Sequence, residues 1–232
     1  MKQNIYEVQK NVEKILKGNY TGFLPINMVK EVQAKLKRRD YQVLSPYNEA
    51  EKIILFGKRC PKIRLYRILV YESDKIWHSS ILGSLFGLNI TSEMFGDIVL
   101  YEGNFYFYVL DDIHEYVVNN FLLVGNVRVK LEEVDANYLE NYERMYEVHE
   151  LIVASERIDA IVARLIGCNR EKVQDKIRER LVMLNGEVLS KASYILKEGD
   201  VFSIRGFGKY VYWGIRNRTK RDNYVIEIKK YI

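Results

Sequence analysis

The chain has 232 residues, 48% of them hydrophobic and 29% charged, with a net charge of +5. That supply of apolar side chains supports a packed core in one to three domains and excludes a disordered polypeptide. The longest apolar runs, such as residues 121–124, are too short to span a bilayer, and the opening Met-Lys-Gln-Asn-Ile-Tyr starts no signal-peptide core, so a cytoplasmic protein without membrane contact is expected. Cys60 and Cys168 stand far apart, without metal-ligand spacing, which fits a reducing compartment with neither metal nor other cofactor.

The charge is unevenly spread. Residues 1–75 carry 16 Lys+Arg and 8 Asp+Glu, residues 76–150 carry 3 and 13, and residues 151–232 carry 17 and 10. Two cationic segments thus flank an acidic middle, a division that suits two surfaces for a polyanion.

Residues 2–17 place Ile5, Val8, Val12, Ile15 and Leu16 at helical spacing, and Gly18-Asn19 ends the run. Asn27 is placed to cap a second helix with Val29, Val32 and Leu36 inward, ending in the basic run Lys35, Lys37, Arg38, Arg39. Residues 53–57 and 63–71 read as strands, the second interleaving Arg64, Tyr66 and Arg67 with Ile63, Leu65 and Ile68. These elements predict a small N-terminal α/β domain over residues 1–75 with a basic face.

Residues 78–88 read as a helix, residues 95–101 and 105–110 as a hairpin across Glu102-Gly103-Asn104, and residues 127–134 as an alternating strand. Asp111 is placed to cap a helix running to Val124. The order helix–strand–strand–helix–strand predicts a central α/β sandwich over residues 76–148, like the sheet of an RNA-recognition module. Paired surface aromatics in base-stacking spacing are missing from it, and the run Phe105-Tyr106-Phe107-Tyr108 reads as hairpin core. The whole is then an α+β protein.

The last domain, residues 149–232, carries the chemistry. Ser155 is placed to cap a helix starting at Glu156 or Arg157, with Ile158, Ile161, Val162 and Leu165 inward and Arg157 and Arg164 outside that stripe. Asn169 caps a second helix, residues 170–180, that turns Val173 and Ile177 inward. Arg170, Lys172, Lys176 and Arg178 remain for a partner, and Gln174 sits one turn from Arg170, able to bond a sugar or base edge. Asn185-Gly186 is a strong signal for a type I′ hairpin, because both turn residues need positive φ. Gly199-Asp200 makes a further turn before a strand ending in Arg205, and Gly206 and Gly208 flank Phe207 ahead of Lys209. Arginine forks bind phosphate oxygens bidentately, lysines add point charge, and capped helix N-termini add oriented donors. Such a surface reads RNA shape and backbone.

Residues 155–209 resemble the S-four, or alpha-L, RNA-binding domain. The matching pieces are Ser155-x-Arg157-Ile158-Asp159, Arg170, Val188 after Asn185-Gly186, and Gly199-Asp200 followed by Ile204-Arg205-Gly206-x-Gly208-Lys209. Asn169 stands where that domain usually has serine, and both can cap. Upstream, His78-x-x-x-Leu82-Gly83-Ser84-Leu85-x-Gly87-Leu88, Phe95-Gly96-Asp97-Ile98 and Val124-Gly125-x-x-Arg128-Val-Lys130-Leu-Glu132-Glu133 resemble the central domain of the YlmH family of bacterial RNA-binding proteins. The N-terminal likeness, at Phe23-Leu24-Pro25 and residues 51–59, has no sharp motif. The resemblance implies a monomeric RNA-binding protein of the ribosome, tied to quality control of stalled large subunits that hold peptidyl-tRNA. Arg157 and Arg170 would then hold ribosomal RNA or tRNA backbone. A link to cell division is also associated with the family.

Catalysis has thinner support. Arg157-Ile158-Asp159 looks like the Arg-Leu-Asp of pseudouridine synthases, but it lies in the RNA-binding helix, where Asp159 is expected to favour the helix start through the dipole. There is no phosphate loop and no nucleophile elbow. Asp111-Asp112 and Glu132-Glu133 are adjacent pairs whose side chains diverge. A non-enzymatic factor is the expectation. The alternatives are an RNA-modifying enzyme with an unrecognised site and a cell-division scaffold that uses the acidic middle.

Overall fold

The computed structural model of the protein describes residues 2–71 and 75–231, which divide into two compact units, Met1–Glu143 and Arg144–Ile232.

The first unit opens with α1 (Lys2–Leu16), β1 (Leu24–Pro25) and α2 (Ile26–Gln33), followed by β2 (Gln42–Leu44) and β3 (Lys52–Phe56). The three strands form a sheet in the order β1-β3-β2. Val8 and Ile15 of α1 and Val29 and Val32 of α2 close over Leu24 and Leu55. Asn27 is not the cap of α2. Pro25 takes that place, its φ of −65 supplied by the pyrrolidine ring, and no side chain caps the helix.

The second sheet of this unit comprises β4 (Ile63–Val70), β5 (Phe95–Tyr101), β6 (Asn104–Leu110), β7 (Leu123–Val124) and β8 (Val127–Val134), in the order β5-β6-β4-β8-β7. Helix α3 (His78–Gly87) follows β4, and α4 (His114–Asn120) follows β6. The β4-α3-β5-β6-α4-β8 sequence with β4 and β6 central is the split βαβ arrangement of RNA-recognition folds. Strand β4 was expected in the N-terminal domain. It is instead the middle strand here, pairing with β6 on one side and β8 on the other, so the expected boundary at residue 75 does not separate it from the central domain. Its arginines contribute no open basic face. Arg64 bonds Asp111 at 2.5 Å and Glu133 at 2.9 Å, and Arg67 bonds Glu132 at 2.7 Å. The helix expected from Asp111 to Val124 is shorter. Asp111–Ile113 is a 3-10 turn, α4 stops at Asn120, and Phe121 turns into the core.

The two faces of this sheet are covered differently. Ile81 and Leu85 of α3 and Val117 of α4 pack over Tyr66, Ile68, Phe107 and Val109. On the opposite face Leu65, Val99, Tyr106 and Tyr108 meet Phe23, Tyr47, Ile54, Leu139 and Tyr142. In an RNA-recognition module the face away from the helices stacks bases. Here Tyr106 and Tyr108 are buried, as expected for core packing of the 105–108 aromatic run. The chain passes very close at Gly22, where a Cβ would sit 2.3 Å from the Glu93 carbonyl oxygen while the Phe23 N–H bonds that same oxygen.

The second unit is one six-stranded sheet with two helices. Its strands are β9 (Tyr146–Val153), β10 (Val182–Leu184), β11 (Glu187–Val188), β12 (Val201–Ile204), β13 (Gly208–Arg218) and β14 (Tyr224–Tyr231), ordered β11-β10-β12-β13-β14-β9. The long β13–β14 hairpin, which the sequence reading did not place, carries the middle of this sheet. Helices α5 (Ile158–Leu165) and α6 (Arg170–Arg178) bury Ile158, Ile161, Val162, Val173 and Ile177 against Phe202, Ile204, Tyr212, Ile226 and Ile228. Asn185 and Gly186 both have positive φ, 50 and 84, as the β10–β11 turn requires. No helix among the described residues is long and apolar enough to cross a membrane.

Candidate nucleic-acid interface

Helix α5 starts at Ile158, one or two residues beyond the expected start at Glu156 or Arg157. Arg157, not Ser155, is its N-cap residue, and no side chain makes the cap bond. Helix α6 is capped as expected, the Asn169 side chain accepting from the Lys172 N–H at 2.9 Å.

Between these helix starts lies Asp159, a carboxylate with no solvent exposure. Arg157 donates to it through Nε at 3.1 Å and Nη2 at 2.9 Å, and Arg170 donates through Nη2 at 2.8 Å. Burial pushes the Asp159 carboxyl up, but the two guanidinium bonds and charges outweigh that and hold it below the usual aspartate range. Asp159 is therefore the anchor of the arginine pair. This anchoring replaces the dipole role expected of Asp159, and the arginines are not uncommitted. They are instead tied to one carboxylate on their inner side, while 39% and 49% of their side-chain surface remains in solvent. A guanidinium fixed by one edge keeps its remaining donors aimed outward with little rotamer entropy left to lose.

The other expected residues separate into groups. Lys176 Nζ lies 5.2 Å from the Phe207 ring centre, so α6 meets the β12–β13 turn that also carries Arg205. Phe207 is 41% exposed on that turn, a residue not foreseen as functional. Arg164, Lys172, Gln174 and Arg205 are solvent-exposed. Arg178 pairs with Asp175 at 2.5 Å on the exposed side of α6, which partly neutralises it. Lys209 falls elsewhere. Tyr210 and Tyr212 point into the core, so strand alternation puts Lys209 on the opposite face of the sheet, over Tyr231 at 4.6 Å.

The hairpin beside this surface is braced from below. Asn185 donates to Asp200 at 2.8 Å and accepts from the Val201 N–H at 2.9 Å, while Asp200 accepts from the Lys197 N–H at 2.8 Å. Sequence flagged Asn185-Gly186 and Gly199-Asp200 as two turns. Their union through Asn185 and Asp200 is a long-range feature that neither turn signal contains.

Among the described residues no group of three or more His, Cys, Asp or Glu is placed to hold a metal ion, and both cysteines are free thiols. A shallow depression of about 300 Å³ is lined by Tyr66, His114, Glu115 and Glu133, but Arg64 holds Glu133 at 2.9 and 3.0 Å.

Two helices set against a braced hairpin, with an arginine pair held on a buried carboxylate, have the form of a small RNA-binding module, and in the chain they follow an RNA-recognition-type sheet. Comparison with known proteins agrees. Residues 156–202 match the family profile of the S4 domain, and residues 63–138 match the profile described as "Putative RNA-binding domain in YlmH". In domain content the chain thus matches, in order, the YlmH RNA-binding domain profile and the S4 domain profile. It is 33% identical over 153 residues to the ribosome-associated protein quality control protein P2 of Bacillus subtilis (strain 168), a match spanning 66% of this chain and 60% of that relative. The cell division protein ylmH from Streptococcus pneumoniae superposes with a TM-score of 0.46 at 19% identity, over 58% of this chain and 90% of that one.

Proposed function

We infer that the protein is a non-enzymatic, monomeric cytoplasmic factor that binds ribosomal RNA or tRNA on the large ribosomal subunit, in the handling of stalled subunits. The observation that carries this reading is the Arg157–Asp159–Arg170 cluster, which presents two half-exposed guanidinium edges in the same domain as the exposed Lys172 and Arg205 and the partly buried Lys176. Two edges of this kind, with lysines on the same helix as Arg170, fit phosphates of a folded RNA backbone. The name of the Bacillus subtilis relative, which associates that protein with the ribosome and with protein quality control, supports the choice of partner.

The test uses charge reversal outside the ion-pair cluster, so that the core stays intact. Lys172→Glu combined with Arg205→Glu should abolish co-sedimentation with large subunits near 0.1 M salt, and wild-type binding should fall steeply as salt is raised. Co-sedimentation of the double variant at wild-type level would overturn the assignment.

A further inference from the structure

The outer face of the C-terminal sheet, turned away from α5 and α6, carries a second set of residues outside the S4 match at 156–202. Strand alternation places Lys209 and Trp213 of β13, Lys229 and Tyr231 of β14 and Tyr146 of β9 on it, because their neighbours Tyr210, Tyr212, Ile226 and Ile228 fill the core. The register pairs Tyr231 directly with Tyr146, and Lys229 with Val148. The Tyr146 and Tyr231 rings meet edge to face at 5.3 Å. Every one of the three rings lies under a cation: Lys229 Nζ is 3.4 Å from the Trp213 centre and 5.7 Å from that of Tyr146, while Lys209 Nζ and the Arg144 guanidinium lie 4.6 and 4.9 Å from that of Tyr231.

A sheet face meant only for water alternates polar side chains. This one keeps Trp213 at 36% and Val148 at 56% exposure beside the tyrosines. Flat rings interleaved with ammonium and guanidinium groups offer base stacking and phosphate neutralisation together. A lysine lying over a ring shields it while the face is empty, and its charge stays within reach of a phosphate once a base displaces it.

We propose that this outer face is a second nucleic-acid site that takes single-stranded RNA by stacking bases on Trp213, Tyr146 and Tyr231. It is separate from the arginine surface and does not depend on that surface's assignment. It reads unpaired bases, whereas the arginine cluster reads folded backbone.

The chain holds two tryptophans, so Trp77→Phe leaves Trp213 as the sole indole reporter in the full-length protein. Titration with a single-stranded adenosine 12-mer should quench Trp213 emission saturably. An abasic ribose-phosphate chain of the same length should bind at least about tenfold more weakly, given the usual contribution of one stacked base. Tyr146→Leu and Tyr231→Leu keep apolar bulk on the sheet and should each weaken the 12-mer about tenfold with the melting curve unchanged. Quenching should persist in the Lys172→Glu, Arg205→Glu protein, which separates this site from the helical one. Unchanged emission, equal binding of the abasic chain, equal binding of a poly-glutamate peptide, or loss of quenching with the helical charges would each overturn the proposal.

Discussion

Arg170 Nη2 lies 2.8 Å from Asp159 Oδ2, across 11 residues of sequence, and this bond ties the start of α6 to the first turn of α5. Arg157 uses the same oxygen at 2.9 Å, so one buried carboxylate sets the spacing of both guanidinium groups. Stability and the placement of both guanidinium groups are therefore coupled at Asp159.

Asp159→Asn should lower stability at neutral pH by about 2 kcal/mol, the usual value of charge-assisted hydrogen bonds lost from a buried acceptor. The carboxyl titrates below its ordinary 3.8 in the folded chain, so its stabilisation is complete above that pH and is lost as pH falls through the lower folded value. Urea titrations of wild type and variant should accordingly differ most above about pH 4 and converge in stronger acid.

Replacing Arg157 and Arg170 by alanine strands the carboxylate, so that double variant should melt well below wild type, by about 3 kcal/mol or more. Adding Asp159→Asn removes the stranded charge and should recover part of the loss. Neither protein should co-sediment with large ribosomal subunits. Calorimetry beside co-sedimentation would separate the effects, and recovery of co-sedimentation with recovery of stability would count against direct contact by the arginines.

Lys52 predicts an alkaline signature. Its ammonium donates to the Ser92 and Phe95 carbonyls at 2.8 and 3.0 Å and lies 4.1 Å from the Phe95 ring centre. Burial lowers its pKa from 10.5 to about 8, against the attraction of Asp97 and Glu51. The unfolded chain thus binds more protons than the folded one between those values, and this group's contribution to stability rises with pH across that interval. Wild type should gain on Lys52→Met as denaturation is repeated at increasing pH from 8 to 10.

The tyrosine face of the central sheet should prove structural. The Tyr108 hydroxyl donates to the Ala136 carbonyl at 3.0 Å, and Tyr47 packs edge to face on Tyr142 at 5.5 Å. Tyr108→Phe should cost about 1 kcal/mol, and Tyr47→Ala about 3 kcal/mol. RNA affinity per folded molecule should be unchanged in both, a result checked by denaturation and binding on the same preparations.

Local signals were readable where local chemistry decides them. Asn169 caps α6, and Asn185-Gly186 turns β10 into β11, because one side-chain bond and two positive φ values suffice. The alternation in Val127–Val134 likewise made a strand. What was not readable depends on distant partners. Ile63–Val70 has the same pattern in either sheet, and only its pairing with β6 and β8 assigns it. Asp159 looks like any acidic first-turn residue until Arg170 folds back on it. Arg64 looks basic until Asp111 and Glu133 flank it. The α5 start moved because Arg157 bridges to Ile195, a contact that extended backbone at 157 requires.

The burial of Tyr106 and Tyr108 beneath Phe23 and Tyr47 bears on biosynthesis. Residues 20–56 leave the ribosome before the strands they cover, so Phe23, Tyr47 and Ile54 are at hand as each strand emerges, and Leu139 and Tyr142 complete the cover afterwards. A gene fragment trimmed to residues 63–138, the bounds of the RNA-binding profile, would discard that cover and yield a sticky, self-associating product.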